Sequence, residues 1–241
     1  MTQNPAAATP TEKSKSVNWI RLFRVWLALF GAMMSVALFC WAAMPRERPP
    51  RVPTFGTPAG STALAAIVWP DSMAPSRPWH YIVIHHSATT GGTLESIDQG
   101  HRVRGFEGGV GYHFLINNGR SPGSADGQIV PTPRWLDQLD GAHTKVASHP
   151  EFNTDGIGIC LIGNFDEHQP TAAQMASLEM LVQALRTRYD VPLERIVGHG
   201  ELKNTHCPGR MFPMQDFLMD LRQVYLKSRL EAETSGPPAP E

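Results

Sequence analysis

Residues 25–44 run for 20 positions without an acid or a base. As a helix, that stretch crosses a hydrocarbon core of about 30 Å, so whatever folds in water must lie to either side of it. Trp26 and Trp41 stand near its ends, where indole rings favour the membrane interface. A cleaved signal peptide would share the charged start and the apolar middle. Against that reading, the run is long for such a core and no small-x-small site follows it. Cys40 also follows bulky Phe39, where a lipoprotein cleavage site wants a small residue. An uncleaved signal anchor is therefore preferred, with residues 1–24 as a disordered cytoplasmic tail. Lys13, Lys15, Arg21 and Arg24 precede the span and Arg46, Arg48 and Arg51 follow it, a feeble charge bias for orientation.

Residues 45–78 are rich in proline, including Pro49, Pro50, Pro53, Pro58, Pro70 and Pro75. Such a stretch reads as an extended, semi-stiff linker, within which the apolar run 63–69 could dock on a folded unit. That unit is expected over residues 79–227, with a second loose tail over 228–241. Strands are expected over 81–85, 112–116 and 157–162, bounded by turn residues such as Asn117-Asn118-Gly119. Helices are expected over 94–104, 171–189 and 214–226. The second of these carries Met175, Leu178, Leu181, Val182 and Leu185 at helical spacing. Strands mixed with helices over roughly 150 residues imply one α/β domain with a single core.

Hydrophobic residues make up 41% of the chain and charged residues 18%, which suits a globular protein rather than a disordered one. A net charge of -1 argues against nucleic acid as a partner. Three cysteines cannot make a disulfide framework, and Cys40 lies in the apolar span. Cys160 sits in an apolar, glycine-punctuated strand and reads as a small core residue. Of the ten histidines, His101, His149 and His168 have polar neighbours and read as surface or satisfied core residues rather than ligands. His85 and His86 end an apolar strand, so at most one of them can face a given site. With His199 and Cys207 they could supply two imidazoles and a thiolate, leaving a fourth position open, as a catalytic zinc needs. Spacing alone does not fix that site, because the residues come from distant segments.

Five blocks occur in order: Ile82-Val83-Ile84-His85-His86-Ser87-Ala88-Thr89; Gly111-Tyr112-His113-Phe114; Gly141-Ala142-His143; Gly156 through Phe165; and Gly198-His199 through Cys207-Pro208-Gly209. Together, over about residues 79–217, they resemble the N-acetylmuramoyl-L-alanine amidase type 2 family, which includes phage amidases and peptidoglycan recognition proteins. The resemblance implies a single amidase-like domain, a central mixed β-sheet flanked by helices, preceded here by one transmembrane helix. It assigns the zinc ligands to His85 (rather than His86), His199 and Cys207, and places Tyr112 near the metal, with His113 facing away. Some members carry a lysine two residues before the cysteine; Thr205 stands there in this chain, as in catalytic recognition proteins, with a loop-capping role as its alternative. His143 is expected to touch sugar or peptide in a groove, with structural packing as an equal alternative. Trp135, after Arg134, is a candidate lip of that groove, with a half-buried anchor as the preferred reading. Glu201 is a weak candidate for a general base.

The implied reaction is zinc-dependent hydrolysis of the amide between N-acetylmuramic acid and L-alanine in peptidoglycan. That requires the catalytic domain to face the periplasm or cell exterior from the cytoplasmic (inner) membrane. The main rival is a module that binds peptidoglycan or muropeptides without cutting them; relatives of that kind typically lack the cysteine that Cys207 retains. A zinc peptidase would more often show a His-Glu-x-x-His helix, which is absent. Sugar-strand hydrolysis would need a carboxylate pair that these blocks do not supply.

Overall fold

The computed structural model describes residues 19, 23, 24, 26, 27, 29, 30, 33, 34, 58–146 and 148–234. The chain divides into two units, Met1–Pro50 and Arg51–Glu241. In the first, Trp19, Phe23, Trp26, Leu27, Leu29, Phe30, Met33 and Met34 are helical, with exposed side chains. The rest of the expected span 25–44 and of the expected tail 1–24 lies outside the described residues, as does 235–241. Among the described residues no helix is long and apolar enough to cross a membrane.

In the second unit, the described strands form one sheet. They are β1 (Tyr81–His86), β2 (Phe114–Asn118), β3 (Asp126–Pro131), β4 (Gly156–Leu161) and β5 (Ile196–Gly198), in the order β3-β2-β4-β1-β5. Strand β1 pairs in parallel with β4 and β5, and β4 in parallel with β2, whereas β3 runs antiparallel to β2. The central strands are buried on both faces, which is why they read as unbroken apolar runs rather than as alternating ones. Around the sheet lie α1 (Pro58–Val68), α2 (Leu94–Val103), α3 (Pro133–Leu136), α4 (Glu151–Thr154), α5 (Ala172–Tyr189), α6 (His199–Leu202) and α7 (Met214–Thr234). The mixed α/β architecture is the expected one.

Helix α5 starts at a capping box, with Thr171 accepting from Gln174 N–H and Gln174 reaching back to Thr171 N–H. Its Leu178, Leu181, Val182 and Leu185 join Ile82, Ile84, Phe114, Ile116, Ile157, Ile159 and Leu161 in the main core. Gln174 also donates to the carbonyls of Ile116 and Ile162, tying the helix to the middle of β2 and the end of β4. On the other face of the sheet, Leu115, Cys160 and Ile162 form a small cluster with Tyr112 against it.

Several local expectations change. The stretch expected to be an extended linker contains α1, whose Leu64 and Val68 are buried in the core. Proline is tolerated in a helix's first turn and favoured just past its end, so Pro58 and Pro70 bracket a helix instead of marking an extended chain. Strand β3 has no counterpart among the expected strands; it is a half-exposed edge strand ending in Pro131, without strict apolar alternation. Strand β2 begins two residues later than expected, so Tyr112 and His113 precede it and Asn117 and Asn118 fall within it. Helix α7 extends past residue 226 to Thr234.

His113 still faces away from Tyr112, packing edge-on against Trp79. Its Nδ1 accepts Gly158 N–H at 2.9 Å and its Nε2 meets Leu139 O at 3.0 Å, an arrangement that suits the neutral ring. Burial pushes its pKa down to about 4. Between about 6.5 and that value the unfolded chain holds a proton that the folded protein lacks. Stability is therefore expected to fall as pH drops through this window, with His113 contributing up to about 3 kcal/mol. Thermal unfolding at pH 7 and pH 4.5 would show it as a lower midpoint at pH 4.5, the difference shrinking in His113→Gln. Equal midpoints in the parent protein would contradict it.

Candidate metal centre

In open sheets with parallel strands, sites form where the strands' carboxyl ends meet, and here β1 and β5 end side by side. Alternation along β1 sends Ile82, Ile84 and His86 toward the main core and His85 to the opposite face. His85 is 1% exposed. Strand β5 ends at Gly198, and His199 opens α6 directly after it. Glu201 accepts the Gly198 N–H at 2.7 Å, so its carboxylate caps this short helix, which accounts for a residue considered as a base.

Cys207 arrives on the following loop, which is pinned at both ends. Gly200 N–H donates to Cys207 O at 2.6 Å, and Met211 N–H to Phe165 O at 2.8 Å. Gly209 has φ +110 and lies so close to Phe165 that an added Cβ would sit 2.5 Å from its carbonyl carbon, so no side chain fits there. His86 serves this loop rather than the metal: its Nδ1 accepts Phe165 N–H at 3.1 Å, and its own N–H points at Cys207 Sγ at 3.4 Å.

His85, His199 and Cys207 thus place one ligand atom each within 4.8 Å of one another. Cys207 Sγ lies 3.6 Å from His85 Nδ1. Zn–S and Zn–N bonds in a tetrahedral site imply about 3.5 Å between such atoms. His199 Nε2 is buried with no hydrogen-bond partner, a costly state for a polar atom unless a ligand completes it. Burial, with neighbouring histidines adding to it, holds the His85 pKa well below the ordinary value; burial and then Lys203 lower that of His199. Both rings are therefore neutral, as ligation requires. Burial pushes the Cys207 thiol up to about 12, so a metal would have to displace its proton on binding. Two imidazoles and a thiolate with room for a fourth ligand suit zinc.

A cleft of about 590 Å³ reaches this centre at His199 and is also lined in part by His101, Tyr112 and His143. Arg104, Lys145 and Lys203 line it as well, and no carboxylate among the described residues does. The Tyr112 ring lies 5.1 Å from that of His85, and its pKa is raised well above the ordinary value, chiefly by burial. Cys160 lies against Tyr112 as a free, buried thiol. Thr205 is exposed, and its Oγ1 accepts Cys207 N–H at 3.3 Å. His143 is 7% exposed and reaches both the cleft and His85.

Two placements left open by the sequence are decided by the fold. Trp135 is not a groove lip: it is fully buried between Trp79 and Phe114, and its indole N–H donates to Val68 O. A large ring beside a helix whose presence the prolines disguised had no visible partner in the sequence. His101, read as a surface or satisfied core residue, is the latter: it is 4% exposed, its Nδ1 accepts Gly111 N–H at 2.9 Å and its ring packs on Tyr112 and Phe106. Its polar neighbours in sequence gave no sign of this, but its place on the inward face of α2, one turn past Ile97, could have.

The sequence model of the family described as N-acetylmuramoyl-L-alanine amidase matches residues 75–210. A peptidoglycan-recognition protein of Drosophila simulans is 32% identical over 150 residues, covering 58% of this chain and 72% of that protein. The endolysin of Escherichia phage T7 is 29% identical over 164 residues, covering 64% and 91%. Among solved structures, the N-acetylmuramoyl-L-alanine amidase LysC from Clostridium intestinale superposes with a TM-score of 0.50 at 32% identity, covering 60% of this chain and 85% of that one. With a match that spans more than half of its length, the chain belongs to the N-acetylmuramoyl-L-alanine amidase family.

Proposed function

We propose that this protein is a zinc-dependent hydrolase of the amide bond between N-acetylmuramic acid and L-alanine in peptidoglycan. The observation that carries the reading is the convergence of His85, His199 and Cys207, with His199 lining an open cleft and its Nε2 left unpartnered. When bound there, zinc would supply a Lewis acid and a water molecule of pKa near about 7. The chain's own residues account for the rest. The Tyr112 hydroxyl, kept protonated by burial, can donate to the oxygen that gains charge as the amide carbonyl is attacked. Thr205 Oγ1 accepts from Cys207 N–H, which leaves its own O–H free to donate beside the same centre. Arg104, Lys145 and Lys203 favour a substrate that carries carboxylates, which stem peptides do.

Retention of all three ligand residues favours cutting over binding alone. We further propose that residues 25–44 hold the protein in the cytoplasmic membrane, with the catalytic domain outside. The 20 uncharged positions support this, as do the exposed apolar side chains Trp26, Leu27, Phe30 and Met33. To test the activity, the full chain in detergent would be incubated with purified peptidoglycan while newly freed amino groups are counted. Release that a strong chelator stops and added zinc restores is expected. Tight binding to the polymer without release, at full zinc occupancy, would mean a recognition module instead.

A further inference from the structure

We propose that His143 is a positioning residue for the metal centre: it fixes the proton of His85 on Nε2, so that the Nδ1 lone pair faces Cys207 and His199. This rests on the reading of those three residues as a metal site, and it replaces a substrate contact as the main role of His143.

The inference follows from which atoms can donate. Gly156 O can only accept, and it lies 3.2 Å from His143 Nε2, so that nitrogen carries the proton. In a neutral ring His143 Nδ1 must then accept. It lies 3.2 Å from His85 Nε2, which therefore donates. His85 Nδ1 is left bare, 3.6 Å from Cys207 Sγ. A backbone carbonyl in β4 thus sets the direction of a two-ring chain that ends at the metal ligand. Groups of this kind orient a ligating imidazole and select its tautomer.

The seat of His143 is built for that ring. An added Cβ at Gly141 or at Gly158 would lie 2.4 Å from His143 Cδ2, so glycine at both positions leaves the space that the imidazole fills. Asn153 Oδ1 accepts the backbone N–H of both His143 and Thr144 at 3.0 Å, which anchors the segment bearing the ring. A residue that only touched substrate would need neither the two-sided glycine seat nor the buried carbonyl.

The test uses the full chain in detergent, labelled with ¹⁵N-histidine and stripped of metal. Long-range ¹H–¹⁵N spectra report the tautomer of His85, and competition with a chromophoric chelator reports zinc affinity. In the parent protein the His85 proton is expected on Nε2. His143→Asn keeps an acceptor near the Nδ1 position and should retain both the tautomer and most of the affinity. His143→Leu removes the acceptor, and Gly158→Ala displaces the ring while keeping a histidine at position 143. Both should mix the tautomers and weaken zinc by about 10–100-fold. A proton on His85 Nδ1 in the parent protein would overturn the proposal, as would parental zinc affinity in a folded His143→Leu. Should His143→Leu fail to fold, the parent spectrum and His143→Asn decide the matter. Neither readout requires hydrolysis. A protein that binds zinc without cutting would end the amidase reading and leave this one standing; a parent protein that binds no zinc would overturn both.

Discussion

Cys207→Ser should lower amide hydrolysis by about 10³-fold or more while leaving the fold in place. A Lewis acid contributes several kcal/mol to the transition state of such a reaction, and each 1.36 kcal/mol is a factor of ten. Serine's hydroxyl does not ionise readily enough to replace a thiolate, so zinc content should fall along with the rate. The substitution removes one sulfur from a half-buried loop, and the remaining anchors at Gly200, Gly209 and Met211 are backbone contacts that it does not touch. Circular dichroism should therefore match the parent protein. The raised thiol pKa adds a direction: zinc uptake releases the Cys207 proton, so zinc affinity should weaken as pH falls. Retained zinc and retained rate in Cys207→Ser would remove Cys207 from the site.

Trp135→Ala should cost about 3–5 kcal/mol of folding stability, a large share of the roughly 5–15 kcal/mol that holds a domain together. The indole is fully buried against Trp79, Phe114 and His113, and its removal would also leave Val68 O without its donor. Denaturant unfolding monitored by circular dichroism would measure the loss, and a cost below about 1 kcal/mol would contradict the placement. Trp135→Phe separates the two roles considered for this residue. As a core anchor it should lose some stability and keep its KM; as a groove lip it would raise KM with stability unchanged.

Much of the site was legible because its chemistry sits in blocks whose order survives in sequence. Alternation at the end of a strand allowed only one of His85 and His86 to face the site, the family resemblance chose His85, and the structure puts His86 to a different use, holding the Phe165 loop. What could not be read were contacts made across the fold. Trp135 lies 67 residues from its hydrogen-bond partner Val68. His143 looks like a groove residue until Gly156 O and His85 Nε2 are found on either side of its ring. Glu201 stands near His199 in sequence, but a capping bond within four residues takes up its carboxylate. The same holds for the fold: β1, β4 and α5 announced themselves through buried apolar runs and helical spacing, whereas α1 and β3 carry prolines that mimic breaks.

The most direct measurement is mass spectrometry of the products formed from a defined muramyl peptide by the zinc-loaded full chain. A free peptide beginning with L-alanine, together with an intact sugar bearing its lactyl group, is the expected pair. Peptides cut within the stem, or substrate recovered whole from a protein that binds it at full zinc occupancy, would contradict the assignment of this centre as an amidase.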